Sequence, residues 1–153
     1  MRFWDSSAIV PLIVTESNTP RVRGLLESDP DVTVWWTSRV ECWSAISRSR
    51  RNGSLDVSAE RRARDRLETF LSNWTEIQPS EELRRLAGSL LLRHSLRAGD
   101  SLQLAAAITA AGVPPRVPIV SLDERLADAA VREGFATLPD DRQAGAGGGS
   151  TRR

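Results

Sequence analysis

The stretch FWDSSAIVPLIVTES, Phe3–Ser17, decides the fold. Arg2 to Trp4 reads as a short strand that stops at an acid, Asp5, and two serines. The apolar segment Ala8 to Val14 then continues as a buried helix or turn, with Pro11 near its start, where a missing N–H is tolerated. Asp5 thus stands at the joint between a strand and the element after it. The same unit recurs outward. Asn18-Thr19-Pro20 opens a helix to about Ser28, and the β-branched and aromatic run Val32–Trp36 is a strand. Thr37 or Ser38 caps a helix to about Arg51, ended by Asn52-Gly53. Ser58 caps another to about Ser72, with Ala63, Leu67, Phe70 and Leu71 on one stripe. Thr75–Ile77 is a short strand, and Ser80 caps a helix through about Leu92. After a break at Arg97-Ala98-Gly99, Asp100–Ala111 is a strongly apolar helix closed by Gly112. Pro118–Leu122 is a strand, Asp123–Glu133 a helix, and Phe135–Leu138 a last short strand. Strands alternating with helices predict an α/β domain with a mostly parallel sheet flanked by helices.

The composition agrees with one such domain. The 153 residues are 40% hydrophobic and 27% charged, which excludes a wholly disordered or fibrous chain. The single cysteine, Cys42, excludes an intramolecular disulfide and a multi-cysteine zinc site. No apolar run approaches the roughly 18 residues of a membrane span, and the first residues reach an acid too soon for a secretory signal. The expectation is a soluble cytoplasmic protein. Residues 1–139 form the predicted domain. Residues 140–153, with AGAGGGSTRR, form a predicted flexible Gly-rich tail.

Net charge is +1, and all 21 basic residues are arginine. They are unevenly placed. From Arg39 to Arg66 there are eight arginines against Glu41, Asp56, Glu60 and Asp65. A surplus of planar, always-charged donors suits phosphate binding, and equally suits a solvated helix face.

Four acids stand at element boundaries: Asp5, Glu41, Asp100 and Asp123. Each has a structural reading as well. Asp5, Asp100 and Asp123 fit N-caps, and Ser38-Arg39-Val40-Glu41 fits a capping box in which Glu41 reaches back to the Ser38 N–H. Together they say more. In parallel α/β sheets functional groups collect at the carboxyl ends of strands. Four carboxylates converging there repel, and a hard divalent cation relieves that repulsion. Oxygen ligands without histidine or cysteine favour Mg²⁺ or Mn²⁺ over zinc.

The stretches FWDSSAIVPLIVTES, TSRVECWSAISR (Thr37–Arg48), LRAGDSLQLAAAI (Leu96–Ile108) and VSLDERLADAAVREGF (Val120–Phe135) together resemble the PIN-domain family of ribonucleases. Within it they are similar to the VapC toxins of toxin–antitoxin pairs. The resemblance follows the family's order over nearly all of residues 1–139. It implies a Rossmann-like parallel sheet and a metal-dependent endoribonuclease. Asp5, Glu41, Asp100 and Asp123 match the family's four acids, with Asp5 and Asp100 as the metal ligands. Ser6, and less directly Ser121, match hydroxyl residues lining the site. It also implies a homodimer and a cognate antitoxin that covers the site.

Other residues have simpler readings. His94, the only histidine, is expected at the surface rather than as a general base. Cys42 reads as a small buried hydrophobe. Trp35, Trp36, Trp43 and Trp74 are able to stack bases, but core or dimer packing is the expectation. Arg50 and Arg51, in the basic helical hairpin Arg48–Arg66, are candidate RNA-binding residues. Two other functions compete with a nuclease: an RNA- or partner-binding module without cleavage, and a small-molecule phosphatase. The second lacks a nucleophile elbow or a Gly-rich phosphate loop.

Overall fold

A computed structural model describes residues 1–140; the predicted tail beyond Asp140 lies outside the described residues. Twelve elements follow in order. They are β1 (Arg2–Trp4), α1 (Ser6–Ile13), α2 (Thr19–Ser28), β2 (Val32–Trp35), α3 (Ser38–Arg51) and α4 (Val57–Leu71), then β3 (Trp74–Ile77), α5 (Glu81–Arg93), α6 (Ala98–Ala111), β4 (Ile119–Val120), α7 (Glu124–Arg132) and β5 (Thr137–Leu138). The five strands form one sheet in the order β3-β2-β1-β4-β5. Every pairing is parallel, with Phe3 opposite Thr33 on one side and Ile119 on the other. The chain steps outward from β1 through β2 to β3, then returns to the far side of β1 as β4. The strand order therefore reverses between β1 and β4, the position where open parallel sheets form a crevice beyond their carboxyl ends.

Successive strand residues point to opposite faces of the sheet. Phe3, Trp35 and Ile119 join Leu90, Leu104, Leu126 and Phe135 beneath α5, α6 and α7. Trp4, Val34 and Val120 join Ile9, Ile46 and Leu67 beneath α1 to α4. The sheet is thus covered on both faces. Among the described residues no helix is long and apolar enough to cross a membrane.

Several local expectations are corrected by the structure. Pro11 lies inside α1, not near its start, because the helix begins at Ser6 directly after the Asp5 cap. Thr19 Oγ1 donates to the Pro11 carbonyl at 2.6 Å, so the irregular turn after α1 is tied down from α2. The cap of α4 is Asp56 rather than Ser58. Its Oδ1 accepts from the Ala59 N–H at 2.7 Å and from Ser58 Oγ at 2.8 Å. His94 is buried rather than at the surface, because the end of α5 lies against the end of α7, where Nε2 meets Glu133 Oε1 at 2.6 Å. Trp36 is 50% exposed, beyond the end of β2 and outside the packed strand. Cys42 is fully buried, as its reading required.

Candidate active site

β1 ends at Trp4, and the Asp5 N–H donates to the Val120 carbonyl at 2.9 Å, which places Asp5 at the switch point between β1 and β4. Its carboxylate has two tasks there. It caps α1 by accepting from the Ser7 N–H at 3.2 Å, and it accepts from the hydroxyls of Ser7 and Ser121, the latter at 3.1 Å. Asp5 is only 4% exposed. Burial pushes its pKa from 3.8 up to about 6; the Ser7 hydroxyl opposes this, and the charge of Glu41 adds to it.

Glu41 sits in the first turn of α3, yet the expected capping box does not form. Its carboxylate turns inward instead. Thr37 Oγ1 donates to Oε1 at 2.6 Å, while Ser6 Oγ at 2.6 Å and Gln103 Nε2 at 2.8 Å donate to Oε2. Ser6 Oγ is also 3.5 Å from Asp5 Oδ1, so one hydroxyl lies between the two acids. The packing of α1 against α3 brings Ser6 to Glu41, and α6 supplies Gln103 from behind. These three donors occupy both carboxylate oxygens and hold Glu41 turned into the site.

Asp100 is the third residue of α6 rather than its N-cap, because the helix starts at Ala98; it accepts from the Arg97 N–H at 3.3 Å. Gln103 follows Asp100 by three residues and shares its side of the helix. Asp123 keeps its capping role at α7, with Oδ1 accepting from Arg125 and Leu126 N–H at 2.9 and 3.0 Å. All four predicted acids nevertheless line one open cleft of about 480 Å³, together with Ser6 and Arg48. Capping and cleft-lining are compatible for Asp5 and Asp123, since a helix N-terminus beyond a strand end faces the crevice.

The cleft is lined by five carboxylates, Glu16 included, and one guanidinium, that of Arg48. The groups in its walls able to ligate a metal are carboxylate and hydroxyl oxygens, with no histidine or cysteine. That chemistry suits a hard divalent cation, and the raised pKa of Asp5 is what a buried carboxyl shows with no positive neighbour. Among the described residues no three acids, histidines or cysteines stand close enough to enclose an ion. An ion here would therefore keep much of its water, as Mg²⁺ normally does.

Arg50 and Arg51 lie outside the walls of this cleft. Arg50 Nε instead faces Glu60 Oε2 at 3.6 Å, and Arg48 from the same helix takes the place in the wall. Sequence reasoning also missed Ser7, Thr37 and Gln103, which hold the acids. For Gln103 a signal existed: it is the one amide within the apolar run LQLAAAI, one turn after an acid.

No curated protein matches the sequence. Solved structures share the fold at low identity. VapC20 of Mycobacterium tuberculosis, described as a sarcin–ricin loop cleaving toxin, is 18% identical over 89% of this chain and 97% of its own, with a TM-score of 0.67. VapBC2 of Rickettsia felis, bound to a DNA fragment from its promoter, is 14% identical over 89% and 96%, with a TM-score of 0.64. A toxin–antitoxin complex from Klebsiella pneumoniae is 16% identical over 83% and 91%, with a TM-score of 0.58. At the level of sequence families, residues 2–132 match the PIN domain, a span that holds all four acids and every strand but the last, and the chain accordingly belongs to the PIN-domain family.

Proposed function

We propose that the chain is a metal-dependent endoribonuclease of the VapC toxin type, hydrolysing RNA phosphodiester bonds and neutralised by a cognate antitoxin. One observation carries the reading: four carboxylates from four separate segments line one cleft at the carboxyl edge of a parallel sheet, and one of them is buried with its pKa near 6. Asp5 and Asp100 would hold Mg²⁺ or Mn²⁺. Such an ion, when bound, neutralises charge on the scissile phosphate and acidifies water.

The chain's own residues do the rest. Ser6, Thr37 and Gln103 occupy both oxygens of Glu41, so its carboxylate is held in one orientation before substrate arrives. Glu41 would orient the attacking water and accept its proton, with Asp123 as the second carboxylate able to do so. The guanidinium of Arg48 would pair with a backbone phosphate. Attack in line with the leaving oxygen leaves a 5′-phosphate and a 3′-hydroxyl. The toxin–antitoxin complex among the structural relatives supports an antitoxin partner, and a homodimer belongs to the same proposal.

The test incubates the pure protein and its Asp100→Asn and Glu41→Gln variants with structured RNAs and Mg²⁺. Cleavage by the wild type that EDTA stops, and that both variants lose by at least a hundredfold, supports the reading. Tight RNA binding without cleavage in either Mg²⁺ or Mn²⁺ would replace it with a PIN-fold binding module.

A further inference from the structure

The acidic cleft does not end at its acids. A second trough, about 560 Å³, runs on from it past the end of α1, the end of α3 and the first three turns of α4. Glu16 and Ser49 stand in the walls of both, so the two are continuous. The charge reverses along the way. The walls of the second trough hold Arg62 and Arg66, and Glu16 is their one acid.

These arginines are not used up within the fold. Arg62 Nη1 donates to Ser58 Oγ at 3.0 Å and Arg66 Nη1 to the Ile13 carbonyl at 3.2 Å, both neutral acceptors. Among the described residues neither has a carboxylate at ion-pair distance, and Arg48 in the first cleft has neither an ion pair nor a hydrogen bond. The neighbouring Arg64 and Arg50 both face Glu60, at 3.0 and 3.6 Å, outside the trough. On α4, Arg64 is paired with Glu60, while Arg62 and Arg66, one turn apart on the trough side, keep donors for a ligand. Arg62 and Arg66 are about 6 Å apart along the α4 axis.

We propose that a single RNA strand leaves the acidic centre through this trough, with Arg48, Arg62 and Arg66 holding its backbone phosphates. The inference rests on the nuclease reading and adds where the substrate runs. A polyanion is the occupant that fits. Its reacting phosphate lies among carboxylates that a cation must first neutralise, and its following phosphates meet unpaired guanidinium groups. Planar guanidinium donors match phosphate in two-pronged geometry.

The experiment measures binding of a fluorescein-labelled single-stranded RNA of ten nucleotides, by anisotropy with Ca²⁺ in place of Mg²⁺, at several salt concentrations. Arg62→Gln with Arg66→Gln is compared with Arg84→Gln with Arg85→Gln, a pair on α5 that removes the same charge. The trough pair is expected to weaken binding tenfold or more and to flatten the slope of log affinity against log salt by about 1.4, from two lost single-strand contacts. The α5 pair should leave the slope at its wild-type value, and Arg62→Lys with Arg66→Lys should restore it. Equal effects of the two Gln pairs, wild-type affinity in the trough pair, or no RNA binding by the wild type would each overturn the track, and wild-type affinity would hand the trough to a protein partner. Because binding is read without cleavage, the result stands whether or not the nuclease assay succeeds.

Discussion

Replacing Asp5 with Asn should stabilise the metal-free protein above pH 6 and disable it. The carboxyl has a pKa of 3.8 when free and about 6 in the folded chain, raised chiefly by burial. Between these values the folded state binds the proton more tightly than the unfolded state does. Stability is therefore lost as pH rises from about 4 to about 6, and above 6 the full cost of a buried charge is present. At about 1.4 kcal/mol for each tenfold change in ionisation, that cost is about 3 kcal/mol. With its amide oxygen in the place of Oδ2, Asn keeps accepting from the Ser7 N–H and from the Ser7 and Ser121 hydroxyls, and its NH2 turns toward Ser6 Oγ; a neutral acceptor in place of a charged one returns about 1 to 1.5 kcal/mol. The net gain of about 1.5 to 2 kcal/mol corresponds to roughly 5 °C in Tm for a chain of this size. Thermal melts of wild type and Asp5→Asn in EDTA, from pH 4.5 to 8, check it. The two should converge at the acid end, with the variant ahead at pH 7.5. Adding Mg²⁺ should then raise the wild-type Tm and leave the variant unmoved. A variant less stable than wild type at pH 7.5, or a difference that does not change with pH, would refute the assignment of Asp5 as a carboxylate destabilised by burial.

Three further outcomes follow from the same geometry. Gln103→Leu removes a donor to Glu41 together with an amide oxygen that has no partner, so the melting temperature should change little while kcat/KM for RNA falls about ten- to a hundredfold; unchanged kinetics would show that Glu41 needs no such support. The Cys42 thiol is fully buried, and burial pushes its pKa up to about 12, so iodoacetamide at pH 8 should label the unfolded chain and not the native one, as read by mass spectrometry. Leu67→Ala empties a fully buried position between α4 and the sheet and should cost about 2 to 5 kcal/mol in urea unfolding, with an unchanged m-value; a loss under 1 kcal/mol would mean that the site collapses to fill the space.

Much of the protein is written locally. A strand that ends in an acid, a cap and an apolar helix are signals carried by adjacent residues. The alternation of elements, the parallel sheet and the place of Asp5 and Asp123 at strand ends were therefore legible from the chain. The glycine that closes α6 was legible for the same reason, since Gly112 adopts a φ of +73°.

What tertiary structure decided are the choices between partners that lie far apart in sequence. Glu41 had a local partner in the Ser38 N–H, and beside the nearby Thr37 it took Ser6 and Gln103, 35 and 62 residues away, because packing aimed their donors at its carboxylate. His94 was buried by Glu133, 39 residues distant. Arg48 entered the cleft and Arg50 did not, since two steps along a helix turn a side chain to nearly the opposite face, and only the docking of α3 against α1 says which face meets the site. The ionisation of Asp5 belongs to the same class. Its identity and position came from the chain, but a carboxyl changes its proton affinity only when the folded structure takes water away from it, and no run of neighbouring residues encodes that loss.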